Sequence, residues 1–185
     1  MNIAVYSGSF NPLHIGHLAI MRQMTEVEGY DCVYLIVSPK NPIKDNISSD
    51  SGRDRFNNAV KAVRRHPELK VMVDEIELQM PEPHYTIRTL EALRIREPEN
   101  RFILIIGADN LAGIRRWKDY SRILLEFGVC VFPRSGYDSK EIRQDLLMEN
   151  PAYMIKLSDA PLVNVSSTQI RNAISEGKDI SHLIM

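Results

Sequence analysis

The sequence has little that would tie it to a secretory, membrane or nucleic-acid environment. Its two cysteines, Cys32 and Cys130, lie in apolar runs, so we expect buried thiols rather than a disulfide or a zinc site. No apolar stretch approaches the roughly 20 residues of a membrane span. A formal net charge of -1 gives no basic field for nucleic acid or anionic lipid. No leader-like segment precedes the first apolar run, so we expect a cytoplasmic protein.

Six short and nearly continuous apolar runs alternate with stretches of helical spacing. The runs are Ile3–Tyr6, Val33–Val37, Val71–Val73, Phe102–Ile106, Val129–Phe132 and Met154–Leu157. Strands that are apolar on both faces are typical of a covered parallel sheet. The sequence therefore predicts an α/β fold: one domain over residues 1–185, with a doubly wound, mainly parallel sheet and helices on both faces. In such sheets, ligands bind at the carboxyl ends of the strands.

The segment that follows the first run, SGSFNPLHIGHL, has the features of a phosphate site. Gly8 allows a turn that brings main-chain N–H groups close to an anion. A helix predicted to start near His14 or Ile15 would direct its unpaired N–H groups at the same place. His14 and His17 share one face of that helix and could donate to phosphate oxygens. An isolated pair at this spacing is more often structural, and the segment holds no third ligand for a metal.

The sequence of this segment resembles a motif of a known family. The block GSFNPxHxGH resembles the HxGH signature of the nucleotidylyltransferase superfamily, and the full segment resembles bacterial nicotinate-nucleotide adenylyltransferases. The resemblance implies a Rossmann-like fold and the use of ATP with a divalent cation, Mg²⁺. It also implies that His14 and His17 lie at the triphosphate, with Gly8, Ser9 and Phe10 in the same ATP site.

A second candidate phosphate site lies near the other end, in the segment VSSTQIR from Val165 to Arg171. Ser166 or Ser167 would be the N-cap of a helix, and Arg171 would follow one turn later. By itself this is an ordinary helix cap. The segment resembles the family's ISSTxIR, which implies that Ser167, Thr168 and Arg171 hold the β- and γ-phosphates. With both motifs, the resemblance spans nearly the whole chain.

The long polar segment from Pro39 to Gly52 resembles the family's PxxxPHK loop at PKNPIK. The resemblance implies that Lys44 binds a phosphate, although Ile43 stands where a histidine is common. Plain solvent exposure of Lys40 and Lys44 is the alternative. Arg53 and Arg55, which follow this loop, are expected to be ordinary surface charges.

The ring-binding elements are expected in the middle of the chain. The segment from Tyr85 to Leu90 resembles the family's SYTxxTL, with His84 in place of serine. Thr86 is predicted to be a helix N-cap, beside amides that suit the carboxylate of a pyridine ring. Tyr85 as a half-buried core residue is the alternative. Trp117, the only tryptophan, is flanked by charged residues and is predicted to be an exposed indole that stacks on a cationic ring.

Two further elements that follow strands complete the candidate set. Gly107 and Asp109 resemble the family's GxD element: the glycine would admit the nucleotide, and the carboxylate would accept from a ribose hydroxyl or hold a hydrated metal ion. A capping role for Asp109 is the alternative. Arg134 lies where the family has Arg-Pro-Gly, but Ser135 breaks that match.

The resemblance implies that nicotinate mononucleotide reacts with ATP to give the deamido dinucleotide and pyrophosphate, a step of NAD synthesis. His14, His17 and Arg171 would be catalytic, and Lys44, Tyr85, Thr86, Trp117 and Arg134 would bind the pyridine mononucleotide. No protein side chain is predicted as a direct metal ligand. Two alternatives stay open: a related transferase with nicotinamide mononucleotide, phosphopantetheine or glycerol phosphate as acceptor, and a nucleotide-binding regulator without turnover. No nucleic-acid or membrane partner is expected, and the sequence leaves the oligomeric state open.

Overall fold

The computed structural model describes residues 1–39, 51–162 and 164–185. The described strands are β1 (Asn2–Gly8), β2 (Cys32–Val37), β3 (Val71–Asp74), β4 (Arg101–Gly107), β5 (Val129–Phe132) and β6 (Ile155–Leu157). The described α-helices are α1 (Ile15–Arg22), α2 (Gly52–Arg64), α3 (Ile76–Gln79), α4 (Thr86–Arg96), α5 (Ala108–Ala112), α6 (Tyr120–Arg122), α7 (Ser139–Glu149) and α8 (Ser167–Ser175). π-helical turns extend α1 over Gln23–Val27 and α6 over Ile123–Phe127, and a 3₁₀ turn spans Ile114–Arg116.

The six strands form one parallel sheet in the order β3-β2-β1-β4-β5-β6. Each predicted apolar run lies in one of these strands, apart from Met154, which directly precedes β6. The α/β fold with a doubly wound sheet is therefore confirmed. Strand β1 lies at the centre, where Ile3 pairs with Cys32 of β2 on one side and with Phe102 of β4 on the other.

Alternate residues of the central strand pack on opposite faces of the sheet. Ile3 and Val5 belong to one core cluster, which includes Leu90 of α4, whereas Ala4 and Tyr6 belong to a second, which includes Met21 of α1. Both clusters are buried. Helices therefore cover both faces, and this explains why the strands are apolar at nearly every position.

The strand order reverses its direction at β1 and β4, which are neighbours in the sheet. In open α/β sheets, a crevice opens at the carboxyl ends of two such strands because their crossovers run to opposite faces. Here those ends are Gly8 and Gly107. The fold thus predicts a binding site above these two glycines.

Residues near the end of the chain return to the start of α1. His14 forms an isolated antiparallel bridge with Ile184, and the Ile15 N–H donates to the Leu183 carbonyl at 3.0 Å. In the described part of the chain, no helix is long and apolar enough to cross a membrane.

Candidate active site

A cleft of about 460 Å³ lies above the carboxyl ends of β1, β4 and β5. Twelve of the residues singled out from the sequence line it: Gly8, Ser9, Phe10, His14, His17, Thr86, Gly107, Asp109, Trp117, Arg134, Ser167 and Thr168. Two others do not line it, and one cannot be placed. Arg171 lies beside a neighbouring cavity, Tyr85 is outside the lining, and Lys44 falls outside the described residues, as do Lys40 and Ile43.

The two histidines are stacked at the start of α1. Their ring centroids lie 3.7 Å apart, with 27° between the planes. His14 is the N-cap: its Nδ1 accepts from the Gly16 N–H at 3.1 Å, and Nδ1 of His17 accepts from the His14 N–H at 3.1 Å. An imidazole nitrogen that accepts carries no proton, so in the neutral ring the proton is on Nε2. Both rings therefore keep Nε2–H as a donor.

Burial keeps both rings neutral. His14 is only 5% exposed, and this burial lowers its pKa from 6.5 to about 4, with a smaller contribution from the nearby Arg134 charge. The pKa of His17 also lies well below its usual value, because of burial first and the neighbouring His14 second. Two stacked imidazolium cations would repel each other. In this cleft, the pair consists of neutral hydrogen-bond donors.

Phe10 supports His17 from the side, with its ring edge-on to the imidazole at a centroid distance of 5.1 Å. The same ring packs against Tyr6 at 5.2 Å. The Phe10 backbone has a φ of 46°, in the left-handed region that a side chain rarely adopts. Such a conformation persists where surrounding contacts hold it, and burial of the aromatic ring provides them here.

The C-terminal helix α8 docks directly on the loop after β1. Ser166 is its N-cap and forms a capping box with Gln169, which confirms one of the two expected caps. The Ser167 hydroxyl donates to the Pro12 carbonyl at 3.1 Å, and Arg171 Nη1 donates to the Asn11 carbonyl at 2.6 Å. The helix N-terminus, whose first amides have no acceptor within a helix, is thereby placed beside the histidine pair.

Arg171 lies at the boundary between the cleft and its neighbour. Its second terminal nitrogen donates to Thr168 Oγ1 at 3.1 Å, and Thr168 lines the cleft. The neighbouring cavity, of about 430 Å³, is also lined by Phe10, Asn11 and Arg55. The guanidinium thus links the loop after β1 to the first turn of α8.

At the end of β4, a glycine and a carboxylate fit closely together. A Cβ at Gly107 would collide with Asp109 Oδ1, so any other residue here would displace that carboxylate. That oxygen is buried and has no hydrogen-bond partner in the described residues, while Arg134 Nε lies 3.6 Å away. Asp109 is the second residue of α5 and makes no capping bond, because Gly107 is the N-cap. A buried acceptor without a donor is a ready partner for a ligand hydroxyl or a hydrated cation.

Two predictions about the ring-binding elements are wrong in detail. Thr86 is the first residue of α4 rather than its N-cap, which is Tyr85. Trp117 is partly buried and packs against the core instead of standing in solvent. The charged residues on either side of Trp117 are exposed, and they led to the prediction of an exposed indole. The indole itself is partly buried and lines the cleft. Tyr85 itself is 43% exposed, which argues against the alternative of a core residue.

Arg55 was predicted to be a surface charge and is instead 5% exposed. Its guanidinium donates to the carbonyls of Ser9 and Ser38 at 2.8 and 2.7 Å and to that of Pro39 at 2.8 Å. It therefore joins the loops that follow β1 and β2. Adjacent Arg53 is exposed and pairs with Glu75, as expected of a surface charge. A sequence pattern does not show which main-chain carbonyls a side chain will contact. It therefore could not distinguish the buried Arg55 from the exposed Arg53.

The described residues contain no group of three or more His, Cys, Asp or Glu side chains that could hold a metal ion. Asp109 is the single carboxylate among the described residues that line the cleft. A divalent cation in this cleft would accordingly take most of its ligands from phosphates and water.

Comparison with known proteins agrees with this geometry. The cytidylyltransferase-like family model matches residues 5–173, a span that holds both ends of the cleft. Two relatives named "Probable nicotinate-nucleotide adenylyltransferase", from Porphyromonas gingivalis and Flavobacterium johnsoniae, are 39% and 36% identical to this chain. The alignments cover 98% and 100% of this chain and 88% and 92% of the relatives. The chain belongs to the nicotinate-nucleotide adenylyltransferases, within the cytidylyltransferase-like family.

Solved structures share the fold. Plasmodium falciparum nicotinic acid mononucleotide adenylyltransferase complexed with NaAD superposes with a TM-score of 0.75 at 18% identity, covering 97% of this chain and 86% of that one. The same enzyme complexed with APC gives 0.73 at 17% identity, covering 99% and 90%. At this identity the likeness supports the architecture, and the roles of individual residues depend on the geometry described above.

The neutral histidine pair predicts that stability falls at acidic pH. Below pH 6.5 the unfolded chain binds a proton on His14, whereas the folded chain does so only near pH 4. Unfolding free energy should therefore fall as pH drops through this window, by about 2 kcal/mol for this group at about pH 5. His14→Asn keeps a side-chain cap and should show a shallower fall in urea unfolding. Exposed His182→Asn should keep the wild-type profile, and an unchanged profile for His14→Asn would contradict the assignment.

The two neighbouring arginines allow a matched test of the loop anchor. Arg55→Met removes charged donors from three part-buried carbonyls and should lower the unfolding free energy by about 2–4 kcal/mol. Arg53→Met breaks a surface ion pair and should cost less than about 1 kcal/mol. Urea unfolding of both variants measures the difference, and equal losses would show that Arg55 is not an anchor.

Proposed function

We propose that this chain joins nicotinate mononucleotide to the AMP moiety of ATP, giving deamido-NAD and pyrophosphate. The observation that supports this proposal most directly is that His14 and His17 share one cleft with Ser166, Ser167 and Thr168 from the far end of the chain. The names of the full-length relatives support the same reaction. The cytoplasmic location and the single domain over residues 1–185 remain part of this proposal.

In the proposed reaction, a phosphate oxygen of the mononucleotide attacks the α-phosphorus of ATP. The P–O bond to the β-phosphate breaks, and its electron pair leaves with pyrophosphate. The attacking phosphate is already ionised at neutral pH, so no general base is needed. The protein contributes position and charge stabilisation, as in other phosphoryl transfers.

His14 and His17 would stabilise the negative charge that develops on the oxygens of the α-phosphate in the transition state. Their Nδ1 atoms are occupied by backbone N–H groups, so each ring can offer Nε2–H to an oxygen. Neutral rings cost less to bury than cations, and they gain strength as donors in a site that excludes water. An arriving phosphate anion would favour protonation of the pair and strengthen these bonds further.

The leaving pyrophosphate would lie at the start of α8. Helix N-termini attract phosphate through unpaired amides and the helix dipole. Thr168 lines the cleft there, and Arg171 reaches the same turn through its bond to Thr168 Oγ1. A guanidinium carries several N–H donors, so its bonds to Asn11 and Thr168 leave donors for a phosphate.

Mg²⁺ would bind mainly through the triphosphate, with Asp109 as its contact to the protein through water. The orphaned Asp109 Oδ1 fits this role, since it needs a donor that the described residues do not supply. When bound, the cation would neutralise phosphate charge in the transition state. Arg134, 3.6 Å from the same oxygen, would limit the net negative charge there.

The acceptor would occupy the end of the cleft formed by α4 and Trp117. Thr86 opens α4 and lines the cleft, so the helix N-terminus favours the carboxylate of nicotinate over a neutral carboxamide. Trp117 offers a partly buried ring face beside it. Lys44 and Arg134 are proposed phosphate partners, and Tyr85 is proposed to cover the ring from the exposed side.

A panel of acceptors tests the reaction. With ATP and Mg²⁺, nicotinate mononucleotide should release pyrophosphate with a kcat/KM at least about tenfold above that of nicotinamide mononucleotide, equivalent to roughly 1.4 kcal/mol. Activity with phosphopantetheine or glycerol phosphate instead would support another transferase of the superfamily. ATP binding without turnover on any acceptor would support a regulator and reject the proposal.

Loss of one transition-state donor tests the histidines. His17→Ala should lower kcat by about 10²–10³-fold with little change in the affinity for ATP. His66→Ala, in a surface pair with Glu68 3.4 Å away, should retain wild-type kinetics. Pyrophosphate release gives kcat, and titration with a non-hydrolysable ATP analogue gives the affinity. Wild-type turnover by His17→Ala would remove His17 from the mechanism.

A further inference from the structure

Glu77, in α3, is a buried carboxylate that the reaction above does not use. It is 3% exposed. Its partners are three hydroxyls: Ser38 donates to Oε2 at 2.6 Å, Thr89 donates to Oε1 at 2.8 Å, and Ser7 lies 3.3 Å from Oε1. A carboxylate is costly to bury unless it is well hydrogen-bonded. The three hydroxyls meet that requirement.

These hydroxyls come from three elements that surround the proposed acceptor end. Ser7 is the penultimate residue of β1, and Ser38 directly follows β2. Thr89 lies one helical turn after Thr86, at the start of α4. Ser7, Ser38 and Thr86 all line the cleft. Glu77 therefore ties the N-terminus of α4 to the strand ends that form the floor of the cleft.

The carboxylate also fixes the polarity of the cleft floor. An ionised carboxylate only accepts, and a hydroxyl carries a single proton. Ser38, which donates to Glu77, must then present lone pairs to its other neighbours. One lone pair can accept from Ser7 Oγ, which lies 3.2 Å away, and the other is left to accept a hydrogen bond from a ligand in the cleft, such as one from a ribose hydroxyl.

We propose that Glu77 is a positioning residue for the acceptor: it sets the place of the α4 N-terminus and the polarity of Ser38, and so determines affinity for the pyridine mononucleotide but not for ATP. This inference rests on the proposed function for the identity of the acceptor. The ATP end is held chiefly by other contacts, those through which α8 docks on the loop after β1.

The test compares Glu77→Gln with Glu91→Gln, the same change on α4 at a residue that pairs with Arg122. In the first variant, the glutamine keeps the size of the side chain but presents an amide donor to a hydroxyl that needs an acceptor. We expect KM for nicotinate mononucleotide to rise about tenfold, while KM for ATP changes less than about twofold. Glu91→Gln should leave both constants unchanged.

Thr89 provides the rescue experiment. Thr89→Val keeps the shape and removes the hydroxyl, so it should reproduce the rise in acceptor KM. Thr89→Ser keeps the hydroxyl and should restore wild-type kinetics. A merely structural role would lower thermal stability in both Glu77→Gln and Thr89→Val while leaving the ratio of the two KM values unchanged, and that result would overturn the inference.

Hydrogen–deuterium exchange on the unliganded protein separates this inference from the proposed function. Amides of residues 88–91 should exchange about tenfold faster in Glu77→Gln than in wild type, while those of α8 stay unchanged. Unchanged exchange at α4 would reject the positioning role whatever the reaction is. A wild-type chain that uses no pyridine mononucleotide would reject the proposed function, and with it the named acceptor, even if the exchange at α4 responds.

Discussion

The site depends on the docking of α8 against the loop after β1. The two hydrogen bonds that make this contact join residues 155 and 160 positions apart, from Ser167 to the Pro12 carbonyl and from Arg171 to the Asn11 carbonyl. Closing so long a separation is entropically costly, and the parallel sheet, which already joins strands from β1 to β6, offsets most of that cost. Without this contact, the histidines would face an open edge with no helix N-terminus opposite them.

Burial explains why the two histidines can remain uncharged. It lowers the pKa of both rings, with the nearby Arg134 charge adding to the effect at His14 and the neighbouring His14 adding to it at His17. A neutral pair adds no repulsion of its own to the unliganded fold near neutral pH. It also leaves the cleft ready for an anion, since the donors are already aimed and lose little freedom when a phosphate arrives.

The sequence was a good guide wherever function depends on local patterns. Continuous apolar runs predicted the strands, and the histidine pair and the Ser-Ser-Thr segment predicted both ends of the cleft. It failed where a side chain is defined by contacts across the fold. Arg55 binds main-chain carbonyls of two distant loops, and Trp117 fills a gap between the core and the cleft. Neither environment is encoded by the residues beside it.

This contrast also separates the two halves of the site. The proposed nucleotide end consists of a loop and two helix N-termini, and short sequence motifs specify these. The acceptor end depends on α3 and α4 being held against strand ends, and a buried carboxylate with three hydroxyl partners provides that connection. This network shares no bond with the contacts that dock α8, so a substitution within it should act first on the acceptor end.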